Sequence, residues 1–362
     1  MRPTNKEYAQ KLLSVIHREA DSPLYLMEVC GTHTVAIAKS GIRSLLPPTL
    51  KLISGPGCPV CVTDNVDLDM VMELSRQPNV IIATYGDMIR VPGSKSSLQQ
   101  EKGSGADIRV VYSTLDAVEL ARANPNREVV FLGIGFETTI PTVAAALEMA
   151  AAEGLQNFSI FSAHKVVPPA MKVLIEDPDV RIDGFINPGH VCTILGAEPF
   201  RFIPEKYHKP CVITGFDPTD ILEGILMIIR QHRTKNWAVE NQYRRVVHEE
   251  GNPVARAYID KFFEPVDAAW RGIGVIPGSG LELKGEYAAW NARQKFALKP
   301  GTPKQNSACS CGEILKGIKL PYECKLFGKA CTPLNPVGPC MVSSEGSCAA
   351  YYRFTPQGGV AV

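Results

Sequence analysis

Short apolar, β-branched runs that stop, one after another, in glycine-rich turns constrain this chain most. The run 24–29 (LYLMEV) ends in Cys30-Gly31-Thr32-His33-Thr34, and 50–54 (LKLIS) ends in Gly55-Pro56-Gly57-Cys58. The run 79–85 (NVIIATY) ends in Gly86-Asp87. The order returns further on: 128–134 (EVVFLGI) leads to Gly135-Phe136-Glu137-Thr138-Thr139, 183–187 (DGFIN) to Pro188-Gly189-His190-Val191-Cys192, and 210–215 (PCVITG) to Phe216-Asp217. Helical patterns such as 6–20 and 115–124 stand between the runs. Buried strands alternating with helices of this length give parallel β-α-β sheets. The repeated turn order reads as a degenerate internal duplication, in which the second unit carries an extra segment, 157–171.

The expected fold is therefore α/β: two similar parallel-sheet domains facing a cleft, 1–125 with its N-terminal helix and 126–225, followed by a smaller helical and irregular region, 226–362. Within it, 236–271 reads as helical, and the chain from 300 on is rich in Pro, Gly and Cys, so it needs a metal or another staple. Ligand groups collect beyond the carboxyl ends of parallel strands. That rule predicts Cys30, the Cys58/Cys61 pair and Asp87 on one face, with Glu137 and His190 on the equivalent face of the second unit.

Composition narrows the function. The 362 residues are 45% hydrophobic and 21% charged, with a net charge of +1, so no basic footprint for nucleic acid is present. No secretory h-region stands at the start, and no apolar run reaches the ~20 residues of a membrane span; the greasiest, 221–230, reads as a core helix. A soluble, cytoplasmic protein is expected. In that compartment eleven cysteines are ligands or redox groups before they are structural disulfides.

Six of the eleven lie at 309, 311, 324, 331, 340 and 348, a thiolate set suited to an iron–sulfur cluster or a structural zinc. Cys58-Pro59-Val60-Cys61 fits a redox pair, two metal ligands or ordinary buried cysteines. Cys30 and His33 stand three apart at a strand end, where the imidazole is expected to favour the thiolate for attack or metal binding; a lone buried cysteine is the plain alternative. His190 sits in a tight turn matching the Cys58 loop, and His164 is a weaker candidate of the same kind. Gly133-Ile134-Gly135 begins like a dinucleotide fingerprint but lacks its third glycine, so nucleotide binding is discounted.

In order, CGTHT (30–34), GPGCPVC (55–61), TYGDMIRVPG (84–93), GFETT (135–139), NPGHV (187–191) and the C-terminal CTPLNPVGPCMVSSEGSCAAYY block resemble the HypD family of hydrogenase maturation proteins, over nearly the whole chain. The resemblance implies two α/β domains round a cleft, an iron–sulfur domain, and a scaffold on which the Fe(CN)2CO group of NiFe hydrogenases is built. It implies two partners, the small chaperone HypC and the cyanide donor HypE. The family's Cys-x14-Cys-x6-Cys-x16-Cys pattern for a 4Fe-4S cluster falls on Cys309, Cys324, Cys331 and Cys348, leaving Cys311 and Cys340 spare. By the same resemblance Cys58 and Cys61 are a redox-active dithiol, Cys30 holds the substrate iron, and His33 and His190 assist, with Asp87 and Glu137 behind them. Two rivals use the same residues: a cluster-dependent thiol–disulfide reductase and a zinc-stabilised interaction module.

Overall fold

In the computed structural model, which describes residues 5–303 and 308–355, the strands in chain order are β1 (Leu24–Glu28), β2 (Leu50–Ser54), β3 (Val80–Thr84), β4 (Asp107–Val110), β5 (Glu128–Gly133), β6 (Phe158–Ser162), β7 (Gly184–Pro188), β8 (Cys211–Thr214), β9 (Val239–Asn241), β10 (Phe263–Trp270) and β11 (Gly274–Leu283). They build two all-parallel sheets, ordered β2-β1-β7-β8-β9 and β4-β3-β5-β6, and the antiparallel hairpin β10-β11. β3, inside its sheet, and β6, at its edge, are buried at every residue, as in parallel sheets covered on both faces. Phe131, Phe158, Phe161 and Phe185 are among the largest fully buried side chains, each worth about 1.5–3 kcal/mol of burial.

Two α/β domains of similar plan are present, but the sheets do not follow the linear division at 125/126 and 225/226. The first sheet takes β1 and β2 from the start of the chain and β7 to β9 from beyond residue 180; the second takes β3 to β6. Numbered within its own sheet, each has the doubly wound order 2-1-3-4, the first adding a fifth strand. The segment 157–171, expected as an extra, supplies β6 and the start of the helix Val167–Glu176. The outer ends of the expected first and third domains, residues 1–4 and 356–362, lie outside the described residues.

The stretch 236–271 also departs from expectation. Val239–Asn241 pairs with β8 as the fifth strand. Only Pro253–Phe262 is helical, started by Asn252, whose side chain accepts from Ala255 N, and by Pro253 in the first turn. The run 263–270 is β10, paired with β11 through a bulge between Val266 and Ala268. Its neighbouring hydrophobics look like a helix face in sequence; hairpin pairing and the burial of Phe263 and Trp270 override that pattern. The other elements form where the periodicity places them: the first helix is Asn5–Glu19, the helix after β4 is Thr114–Ala123, and the core helix after β8 is Pro218–Thr234.

Doubly wound sheets bind at the strand pair where the connection direction reverses. Here those pairs are β1/β7 and β3/β5. The loop after β1 carries Cys30 and the helix after β7 carries His190; the loops after β3 and β5 carry Asp87 and Glu137. The expected grouping is thus corrected: His190 joins Cys30 and the dithiol, while Asp87 goes to the other sheet, where it is exposed. The carboxyl ends of both sheets meet, as the buried Lys165–Asp67 ion pair after β6 and β2 records (3.3 Å). Beyond residue 308 come short helices, Cys311–Leu315, Pro339–Val342 and Ser347–Phe354. The last packs on the helix Gly31–Ser40, and Pro339–Val342 packs on Pro59–Val62. Among the described residues no helix is long and apolar enough to cross a membrane.

Candidate metal and thiol site

Cys30 ends β1 in extended backbone and caps the helix Gly31–Ser40. The glycines before Cys58 exist for its sake. A Cβ on Gly57 would lie 2.2 Å from the Cys30 backbone nitrogen, and Gly31 N donates to the Gly57 carbonyl at 2.9 Å. Only glycine allows the two loops to touch. Cys58 caps the four-residue helix Pro59–Val62, with Pro59 in its first turn. The Cys61 thiol donates to Cys58 Sγ at 2.6 Å, and Cys61 N donates to the same sulfur at 3.3 Å. Both are free thiols, and a disulfide at about 2.05 Å needs only a small movement of the sulfurs.

Cys30 is buried at 8% exposure. Burial pushes its thiol up to about 12, the Glu345 carboxylate adds to this, and the backbone N–H groups of His33 and Thr32 oppose it. Bound metal displaces such a proton, so affinity rises with pH. The expectation that His33 favours the thiolate fails. His33 Nε2 donates to the Gly215 carbonyl (3.0 Å) and lies 2.9 Å from Thr214 Oγ1. Burial lowers its pKa to about 4, so the ring is neutral and adds no charge at Cys30. The rings of His33 and His190 instead sandwich Phe216, at 4.5 and 4.0 Å between centroids. His190 is exposed. Glu345 reaches over this group from the C-terminal region, accepting from Thr32 Oγ1 at 2.8 Å; a side chain on Gly31 would collide with it.

Behind Cys30 lies a buried polar group from both sheets. Cys211 Sγ donates to Asn187 Oδ1 at 2.9 Å. The Cys192 thiol is pushed well up by burial, then by Cys211, Glu137 and Cys30. Glu137 accepts from Val167 N (2.9 Å) and leaves Oε2 unpartnered. Burial pushes its carboxyl up to about 7, against about 4.3 in the unfolded chain. The folded state therefore holds the proton more tightly, and stability falls as pH rises from about 4.3 to 7. Glu137→Gln should remove a fall of about 3 kcal/mol. Urea midpoints at pH 5 and pH 8 check this: the wild-type drop should exceed the variant's. His164 is buried on Ser162 and Phe263 at the second sheet and takes no part.

The C-terminal cysteines converge. Cys309, Cys311, Cys324, Cys331, Cys340 and Cys348 line one cavity with Ile314, Phe327 and Met341. Gly338 forms part of its wall, where a Cβ would stand 2.9 Å from Cys309 Sγ. Burial, then the charges of Cys311, Cys309, Cys331 and Cys324, push the Cys348 thiol well up. So many thiolates share this space only if a cation compensates them. Among the described residues no three ligating side chains close on one point as they would round a single ion. A four-iron cube needs no such point, because each cysteine binds its own iron. The donor set at Cys309, Cys324, Cys331 and Cys348 fits that group.

Cys311 and Cys340, spare on spacing, join this cavity to the dithiol. Their sulfurs are 3.3 Å apart. The neighbouring Cys311 and Cys61 thiols pull the Cys340 thiol below its ordinary value, while burial and the nearby Cys340 push Cys61 up. The Cys58–Cys61 and Cys311–Cys340 sulfur pairs thus sit on elements that adjoin, since the helices Pro59–Val62 and Pro339–Val342 pack together. A sequence signal existed: Gly338-Pro339-Cys340 repeats the glycine approach and first-turn proline of the dithiol helix.

A family model described as HypD, "Hydrogenase formation hypA family", matches residues 7–355. The chain is 48% identical to the hydrogenase maturation factor HypD of Rhodobacter capsulatus, over 95% of this chain and 93% of that protein. It is 49% identical to that of Rhizobium leguminosarum bv. viciae (91% and 88%), and 45% identical to that of Escherichia coli K12 (97% and 94%).

Proposed function

This chain belongs to the HypD family of hydrogenase formation proteins, and on that premise we propose that it is the scaffold on which iron is fitted with its cyanide and carbon monoxide ligands, as Fe(CN)2CO, before transfer to a NiFe hydrogenase. The observation that carries this reading is the packing of the helix that bears Cys340, whose sulfur lies 3.3 Å from Cys311 in the cysteine cavity, on the dithiol helix Pro59–Val62, whose loop lies against the backbone of Cys30 through Gly57. Cys309, Cys324, Cys331 and Cys348 would hold a 4Fe-4S cluster, which supplies electrons one at a time when bound.

The chain's own thiols do the rest. The Cys340 thiolate, which the Cys311 thiol favours, attacks Cys61 of an oxidised Cys58–Cys61 pair; an S–S bond forms between Cys340 and Cys61 and Cys58 leaves as thiolate. Cys311 then attacks Cys340, forming the Cys311–Cys340 disulfide and releasing Cys61. Two electrons return that disulfide to thiols, and two protons complete the balance. The reduced dithiol lies beside Cys30, whose thiolate binds the substrate iron; a soft ligand suits low-spin iron carrying diatomic ligands. His190 and Glu345 border the open side of Cys30, where a HypC-type chaperone would share the iron and a HypE-type donor would deliver cyanide.

Cys340→Ser tests the path. In protein carrying its cluster, with the dithiol oxidised and dithionite added, reduction of Cys58–Cys61 should slow on the order of 100-fold, because the attacking thiolate is gone. Thiol labelling followed by mass spectrometry reads this, and iron content should stay at the wild-type value. Reduction at an equal rate would remove Cys340 from the path.

A further inference from the structure

Arg271 is buried at 7% exposure, yet among the described residues its guanidinium bonds only to backbone carbonyls: Nε donates to Thr63 O at 2.9 Å and a terminal nitrogen to Pro92 O at 3.0 Å. The other buried cations are compensated. Lys165 pairs with Asp67, and the mostly buried Arg293 pairs with Asp67 and Glu282. A buried charge without a counter-charge is costly, and proteins keep one only where something supplies the opposite sign.

The surroundings show where that sign comes from. Arg271 N donates to Val62 O at 2.9 Å and Trp270 pairs with Thr63, so this strand end is laced to the residues directly after Cys61. On its other side, Gly272 is in the left-handed region and lies on Gly312: a Cβ on Gly272 would stand 2.3 Å from Gly312 Cα. Residues 270–272 are therefore wedged between the dithiol helix and the Cys309–Gly312 segment. Gly312 directly follows Cys311, so Arg271 stands beside the segment that carries Cys309 and Cys311 into the cavity.

We propose that Arg271 is a positioning residue of the cysteine cavity: its guanidinium is the fixed positive charge that holds the net negative charge of a thiolate-bound cluster, and its bonds to the Thr63 and Pro92 carbonyls keep the dithiol beside that charge. The proposal rests on the cluster reading above. It explains why an arginine without a carboxylate partner is kept at this point, and why two glycines face each other next to it. A reduced cluster carries one more negative charge than an oxidised one, and a nearby fixed cation favours it.

The test is a spectroelectrochemical titration of the full-length protein prepared without oxygen, as wild type, R271Q and R271K. Gln still donates to carbonyls but carries no charge; Lys keeps the charge without the fork. At a fixed potential R271Q should show a reduced-to-oxidised ratio about tenfold lower, a midpoint about 59 mV more negative for one electron, with R271K close to wild type. Should R271Q not fold, R271M, which keeps the aliphatic stem, replaces it with the same expected shift. A wild-type protein without iron overturns the cluster reading and this proposal with it. Iron in the wild type with equal midpoints in all variants overturns the role of Arg271 alone, as does an R271K shift as large as that of the neutral variant.

Discussion

Cys324→Ala should lose the iron of the cysteine cavity and loosen the chain from about residue 308 onward. The reason lies in how little else holds that region. Its helices, Cys311–Leu315, Pro339–Val342 and Ser347–Phe354, are five, four and eight residues long, far below the ~12–15 at which an isolated helix becomes marginal in water. Between them lie turns, bends, one short 3-10 helix at Pro321–Glu323 and a single Phe327–Cys331 bridge, and the six thiols that line the cavity repel one another once ionised. Metal binding to such a segment is folding energy, so removing one of four ligands should cost several kcal/mol locally. Limited proteolysis and an iron count check this: the variant should be cut between 308 and 348 under conditions that leave the wild type whole. Because Glu345 and the helix Ser347–Phe354 cover Cys30 and its helix, Cys30 should also label faster with a thiol reagent. An unchanged cleavage pattern with iron lost would mean that packing on the helices Gly31–Ser40 and Pro59–Val62 suffices.

The strands were legible in sequence because the local signals agree. VIIAT and FSIFS are rich in β-branched or aromatic residues, and each stops within two residues of a glycine or a polar turn. Which sheet each strand joins was not legible. β2 and β3 are neighbours in sequence yet lie in different sheets, because that choice is made by long-range packing, to which the two short runs give no clue. The same distance effect misplaced His33. Its spacing puts it in the first turn of the helix that Cys30 caps, but its ring turns to the Gly215 carbonyl, 182 residues on. Cys340 escaped for a different reason. Spacing selects ligands by regularity, and Cys340 meets its sulfur partner Cys311 only across 29 residues of chain. Arg271 carries no motif at all; only its burial without a carboxylate marks it.

Cys30→Ala should leave the cluster in place and abolish the Fe(CN)2CO group completely. Cys30 lies at the switch point of the first sheet, against Gly57 of the dithiol loop and under Glu345. It is remote in sequence from all six cysteines of the cavity and does not line it. Removing one buried thiol at a helix cap should cost only about 1 kcal/mol, so the fold and the four cluster cysteines survive. The dithiol should still be reducible, since the sulfur path ends before Cys30.

The most direct measurement is the infrared spectrum of anaerobic complexes with the small chaperone, wild type beside Cys30→Ala, each with an iron count. The scaffold reading predicts cyanide and carbon monoxide bands and extra iron in the wild type only, over equal cluster iron in both. Bands of equal strength in the variant, or a wild-type complex that reduces disulfides and never shows them, would contradict it.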